Sequence, residues 1–209
     1  MNGTAASAGP MPPFFVYRDF LPPAPLAGLL AWTLSNEEAF APSLVLGGVH
    51  DPARRASRSL ALAESPVNEA LRDRIRVLLP DMFARTGVKP FKLSKGELQL
   101  VAYNDGDSFR PHRDTLVGEH RIAMGDRVLS GVYYFHAEPK GFSGGALRLH
   151  RFGAPGDREG DFADVAPEQN SFLVFPSWAT HEVRPVHCPS RRFADSRFAI
   201  NCWLYRDRE

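Results

Sequence analysis

The apolar residues of this chain change their period near residue 96, and that change constrains the fold more than any other feature. Before it they recur at helical spacing. Leu26, Leu29, Leu30 and Leu34 precede a polar Asn-Glu-Glu. Val67, Leu71, Ile75, Leu78, Leu79, Met82 and Phe83 then form a longer stripe, with Arg72, Asp73, Arg74 and Arg76 on the opposite side. Ser65-Pro66 opens that helix and Gly87 closes it. After residue 96 the pattern is one of short strands: ELQLVAYN, RVLSGVYYFH, GGALRLH, NSFLVFP, THEVRPV and SRFAINCWLY. Gly, Pro, Asp and Asn punctuate them. Many short strands without intervening helices predict a sandwich or barrel. The expected fold is mainly β with N-terminal helices: a helical layer on a double-stranded β-helix, or jelly roll.

The chain has 209 residues, which suits one domain with a well-buried core. The expected organisation is a disordered tail over residues 1–13 and a single domain over 14–209. Within it, 14–95 supply helical support and a lid loop, and 96–206 the jelly-roll core. A formal net charge of +1 argues against nucleic acid as a partner. No stretch approaches 18 consecutive apolar residues, so no membrane span is expected. The start, MNGTAASAGPMPP, lacks the charged and apolar regions of a secretory signal. Cys188 and Cys202 are too few for a disulfide framework, and a reducing, cytoplasmic setting is expected.

The segment YNDGDSFRPHRDT, residues 103–115, places His112 and Asp114 two positions apart. On an extended strand such residues point to one face and grip one metal ion together. A lone H-x-D also arises by chance, as a solvated surface pair. The run FLVFPSWATHEVRPV adds His181, 67 residues beyond Asp114: a hydrophobic strand ends at Pro176, a turn follows, and His181 opens the next strand. Two histidines and one carboxylate on one side of a metal leave open positions opposite, as in non-haem Fe(II) oxygenases. Zinc with a water takes similar ligands. The strand SRFAINCWLY decides between them. Arg197 near its start, pointing inward, is a buried cation that needs an anion. Its fork suits a dicarboxylic cosubstrate whose other end chelates the metal, which a hydrolytic zinc site does not need.

These strings, taken in order, resemble the Fe(II)/2-oxoglutarate-dependent oxygenase superfamily, and more closely its prolyl hydroxylase-like branch. The resemblance rests on YNDGDSFRPHRD, VYYF, GGALRL, HEVRPV and RFAINCWLY, and covers roughly residues 97–206. It implies a cupin-like jelly roll and a dioxygenase that hydroxylates a C–H bond. The cofactors would be Fe(II), 2-oxoglutarate and O2, with ascorbate as a supporting reductant. His112, Asp114 and His181 would hold iron, and Arg197 the distal carboxylate of 2-oxoglutarate. Tyr134 would hydrogen-bond that carboxylate, Leu147 would wall the same pocket, and Tyr103 and Trp203 would lie near the cosubstrate and the substrate mouth. One departure is that Arg197 follows His181 by 16 residues, with HCPSRRFADS between them, a longer interval than in close relatives. Arg191 and Arg192 are its rivals at shorter spacing. Because Asp114 stands where related halogenases carry a small residue, hydroxylation is the implied outcome.

The substrate is open at this point. A prolyl residue in a peptide or protein is one reading, and a free amino acid or other small molecule another. A non-catalytic cupin-like metal-binding protein is the reading from a different class. The stretch 45–60, with Arg54, Arg55 and Arg58, and the segment 115–127, with Arg121, would cover the site, and Arg58 and Arg121 are candidate substrate contacts. Oligomeric state is not read from the sequence.

Overall fold

The two apolar stripes are two helices, α1 (Pro23–Ser35) and α2 (Asn68–Thr86). A computed structural model describes them within residues 9–62, 65, 67–153 and 160–207. Pro66, expected at the start of α2, lies outside the described residues. Gly87 ends α2 in the left-handed region at φ 66°, which a residue without Cβ adopts freely. α2 also runs through Pro80, which removes a backbone hydrogen bond from the helix interior. Burial of Leu71, Ile75, Met82 and Phe83 offsets that loss.

Among the described residues fourteen strands form two facing sheets and a small third ribbon. The larger sheet contains β1 (Phe15–Tyr17), β2 (Ala41–Pro42), β4 (Arg58–Ala61), β5 (Leu93–Tyr103), β7 (Asp126–Phe135), β11 (Ser171–Pro176) and β14 (Arg197–Arg206). Their order is β1-β11-β7-β14-β5-β4-β2. The smaller contains β3 (Arg55–Ala56), β6 (Ser108–His112), β9 (Leu147–His150), β10 (Phe162–Val165) and β12 (His181–Val183), in the order β10-β9-β12-β6-β3. The ribbon pairs β8 (Ser143–Gly144) with β13 (Val186–His187). All pairings are antiparallel. The architecture is a jelly roll, as the strand pattern predicts.

Strand alternation sorts the core into two layers. Phe198, Ile200, Cys202 and Leu204 of β14 join Tyr133 and Phe135 of β7 under the helices. The opposite face places Val132, Tyr134 and Ala199 between the sheets with Leu147, Leu149, Leu173 and Phe175. One residue of slip along β14 would exchange the two layers. That register is held by pairing on both sides: Ala199 faces Val101 of β5 and Tyr134 of β7.

Three expectations need correction. Residues 1–8 of the expected tail lie outside the described residues, but residues 9–13 are not a free tail. Gly9 donates to the Phe152 carbonyl at 2.8 Å, and Phe152 donates to the Pro10 carbonyl at 3.2 Å. The stretch 45–60 is partly ordered as β3 and the start of β4, because its backbone pairs with β6 and β5. The segment 115–127 contains a short helix, α3 (Gly118–Met124). No helix among the described residues is long and apolar enough to cross a membrane.

Candidate active site

His112 is the last residue of β6 and His181 the first of β12, and the two are direct cross-strand partners. Their rings lie 4.2 Å apart between centroids. Asp114 stands two residues past the end of β6. Its amide and that of Thr115 both donate to the Ser177 carbonyl at 3.0 Å, which returns the carboxylate to the histidine pair. Asp114 Oδ2 lies 3.6 Å from His181 Nε2, and Oδ1 lies 3.9 Å from His112 Nε2. One donor atom from each of the three falls within 4.8 Å of the others.

The surroundings orient this donor set. His112 Nδ1 donates to the Arg110 carbonyl at 2.8 Å and His181 Nδ1 to the Ala179 carbonyl at 2.9 Å. Carbonyls only accept, so both rings carry a proton on Nδ1 and turn Nε2, the nitrogen left for a ligand, toward Asp114. Phe109 stacks on His112 at 3.6 Å, and Phe175 meets His181 edge-on at 4.7 Å. Ser130 donates to Asp114 Oδ2 at 2.7 Å and lies 2.9 Å from the hydroxyl of buried Ser177. Burial pushes the His112 imidazole well below the usual histidine range, reinforced by His181. Burial acts to raise Asp114, but His181, His112, and hydrogen bonds from Ser130 and Trp203 outweigh it and hold the carboxyl low. Both directions, an imidazole that resists protonation and a carboxyl that stays ionised, suit metal ligation by His112 and Asp114.

Behind the triad a narrow cavity leads between the sheets, lined among others by Tyr103, Leu147, Val183, Arg197, Asn201 and Trp203. Arg197 is 1 % exposed. Its Nε donates to the Gly145 carbonyl at 2.7 Å, while Nη1 and Nη2 are buried without a hydrogen-bond partner among the described residues. The guanidinium lies between the rings of Tyr134 and Tyr103, 4.9 and 5.0 Å from their centroids. The Tyr134 hydroxyl is likewise buried and unpartnered. Burial pushes this phenol up to about 12, against the opposing pull of Arg197. So a cation and a neutral hydroxyl converge with unused donors, a cradle for an anion. Gly145 is part of it: a Cβ there would lie 2.6 Å from Arg197 Cδ and 2.8 Å from Val186 Cγ2.

The expected residues therefore divide. His112, Asp114 and His181 come together; Arg197, Tyr103, Leu147 and Trp203 line the inner cavity, and Tyr134 lies buried against the Arg197 guanidinium. Arg191 and Arg192 do not reach it. They are exposed on the preceding turn and pair with Asp105 and Asp195. Arg58 is also elsewhere, since its guanidinium donates to the carbonyls of Glu37 and Phe40 beside the helical layer. Arg121 closes on Asp126 at 2.6 Å, outside both cavities at the triad. Both arginines stand in segments that border the site, but their own directions are taken by these partners. Ser130, Ser177 and Gly145 escaped sequence reasoning. Only the Gly144-Gly145 pair carries a local signal, a close backbone approach.

A jelly roll with two imidazoles, one carboxylate and a buried guanidinium behind them defines a class: a scaffold with a two-histidine, one-carboxylate metal site. The chain belongs to the 2OG-Fe(II) oxygenase superfamily, whose sequence signature matches residues 98–205. Its family's metal and cosubstrate are Fe(II) and 2-oxoglutarate. An uncharacterized PKHD-type hydroxylase of Synechocystis sp. is 40 % identical over 154 residues, which is 72 % of this chain. The chain spans 50 % of that relative's length. Among solved structures, it is similar to a prolyl hydroxylase of Trichoplax adhaerens, in complex with a hypoxia inducible factor oxygen degradation domain peptide fragment. The TM-score is 0.68 at 18 % identity, over 93 % of this chain and 84 % of that one. It is also similar to a Pseudomonas putida prolyl-4-hydroxylase, with TM-score 0.66 at 20 % identity over 97 % and 95 %. These two likenesses bear on the fold.

Proposed function

We propose that this protein is a 2-oxoglutarate-dependent dioxygenase that hydroxylates a C–H bond of a prolyl residue or proline-like substrate. The observation that carries the reading is the buried Arg197 fork, with Nη1 and Nη2 unpartnered behind the His112, Asp114 and His181 donor set. A buried cation without a counter-charge is costly, and a bound dicarboxylate relieves that cost. His112, Asp114 and His181 would hold the metal. Arg197 would take the distal carboxylate of 2-oxoglutarate in two parallel hydrogen bonds, and Tyr134 would donate a third. When bound, Fe(II), 2-oxoglutarate and O2 supply the oxidising chemistry, giving succinate, carbon dioxide and a hydroxylated product.

The chain's own residues do the positioning. Ser130 holds the Asp114 carboxylate by its Oδ2. The carbonyls of Arg110 and Ala179 keep the two imidazoles in the ligating tautomer. Leu147 and Val183 exclude water around the cosubstrate arm. Trp203 lines both the inner cavity and the outer one, so it stands at the boundary between cosubstrate and substrate. The prolyl assignment is supported by the names of the similar structures above. A cytoplasmic setting belongs to the same reading and rests on two free, buried thiols. The test is succinate formation from 2-oxoglutarate with Fe(II), stimulated by proline-containing peptides or by free amino acids. Replacement of His112, Asp114 or His181 by Ala should abolish it with the fold retained. Turnover by Asp114→Ala at the wild-type rate would remove the assignment.

A further inference from the structure

Arg55 lies on β3, at the edge of the sheet that carries His112, and pairs in register with Phe109. It is 5 % exposed. Its Nη1 donates to the Leu44 carbonyl at 3.1 Å and Nη2 to Gln99 Oε1 at 3.0 Å, while Nε is buried with no partner. Both acceptors are neutral. Among the described residues no carboxylate pairs with this cation. A guanidinium has five N–H donors, so three remain after these two bonds.

This charge borders the reaction centre. Arg55 lines an outer cavity of about 450 Å³ in front of the triad. Its guanidinium carbon stands 5.0 Å from the Phe109 ring centroid, and Phe109 stacks on His112. One ring therefore separates the cation from a metal-ligating side chain. The carboxylates of the same cavity are engaged elsewhere. Glu97 takes Arg127 at 3.1 Å and the Tyr205 hydroxyl at 2.6 Å, and Asp114 belongs to the triad. Arg54 and Arg113, both at the rim, extend the positive wall. Among the described residues no carboxylate is left to balance it, which suits an anionic ligand. The apolar tips of Leu44 and Leu46, about half exposed, offer the rest of a substrate a wall in the same cavity.

We infer that Arg55 anchors a carboxylate of the substrate, set beside the carbon that is hydroxylated. The inference rests on the oxygenase reading above. The shared chemistry has two sources: the α-carboxylate of a free amino acid, or an acidic side chain next to a prolyl residue in a peptide. Arg55 acts on binding and is a specificity-determining residue.

Calorimetric titration into the anaerobic protein loaded with Mn(II) and 2-oxoglutarate tests this without turnover. Three pairs of probes differ only in carboxylate against amide: L-proline and L-prolinamide, acetyl-Asp-Pro-amide and acetyl-Asn-Pro-amide, and L-leucine and L-leucinamide. The acid member of at least one pair should bind about tenfold more tightly, as a hydrogen bond to a charged group implies. The first pair identifies a free amino acid and the second an acidic peptide. The preference should vanish in Arg55→Gln and be only partly kept in Arg55→Lys, which retains charge without the fork. The lysine variant serves if the glutamine variant does not fold. A preference confined to the leucine pair supports the anion site and sinks the proline reading. Equal affinity within every pair, including no binding at all, overturns the inference. So does a preference that survives Arg55→Gln and disappears in Arg113→Gln.

Discussion

Gly145→Ala perturbs the Arg197 cradle without touching a charge or a proposed ligand. Gly145 adopts φ 66°, and its absent Cβ would lie 2.6 Å from Arg197 Cδ, 2.8 Å from Val186 Cγ2 and 3.2 Å from Arg197 Nε. Two costs follow. The left-handed backbone costs an alanine roughly 1–2 kcal/mol. Overpacking against a buried side chain adds about 1–3 kcal/mol. The contacts are with the stem of Arg197, which is fully buried and cannot swing into solvent. The strain is therefore relieved by displacing the guanidinium or the Gly145 backbone that accepts its Nε–H. A total of about 2–5 kcal/mol corresponds to a melting temperature lower by roughly 4–20 °C for a chain of this size. Because the displaced group is the fork itself, 2-oxoglutarate affinity should fall as well. Thermal denaturation followed by 2-oxoglutarate titration of the anaerobic Mn(II) protein reads both quantities. A variant with wild-type melting temperature and wild-type 2-oxoglutarate affinity would refute the claim that Gly145 is required by Arg197. A variant that is destabilised but binds normally would separate packing from the cradle.

Further outcomes follow from the same geometry. Tyr134→Phe removes one donor to a charged acceptor and should weaken 2-oxoglutarate binding by about 1.5–3 kcal/mol, roughly 10–150-fold in Kd; unchanged affinity would mean the hydroxyl is a core group only. Ser130→Ala frees Asp114 Oδ2 and should weaken metal binding about 10–100-fold, read by Fe(II) or Co(II) titration, with an unaltered isotherm counting against a positioning role. Arg197→Lys should bind 2-oxoglutarate more weakly and Arg197→Ala more weakly still, while Arg191→Ala and Arg192→Ala should titrate like the wild type; the reverse order would relocate the cradle to the preceding turn.

Much of this was legible along the chain because the informative signals are local and periodic. The long strands β5, β7, β11 and β14 and both main helices follow from alternation and helical spacing. His112 was readable by its two-residue spacing from Asp114, and His181 because it opens a strand after a turn, as β12 does. The face of β14 followed from alternation too, which is why Arg197, Ala199, Asn201 and Trp203 point inward together. Short elements were not legible. β1, β2, β3 and β10 have two to four residues each, too few for a period, and exist because neighbouring strands offer them hydrogen bonds. Asp114 differed in kind: it was expected on a strand, but it lies beyond one, held by the Ser177 carbonyl.

The sequence by itself therefore determined the two kinds of layer, the order of the ligand types, and the inward face that carries the guanidinium, since all three depend on periodicity and residue chemistry. Only the tertiary structure decided which arginine is where. Arg54, Arg55, Arg58, Arg121, Arg191 and Arg192 are indistinguishable as letters. Arg58 and Arg121 are held by Glu37, Phe40 and Asp126, Arg191 and Arg192 by surface carboxylates, and Arg55 by two neutral oxygens beside the metal-ligand sheet. A guanidinium has a long, flexible stem, so its position in the chain constrains its head group weakly. Its role is set by the partners that three-dimensional packing brings within a few ångströms, and these come from residues 52 positions away for Arg197 and Gly145 and 86 for Arg191 and Asp105.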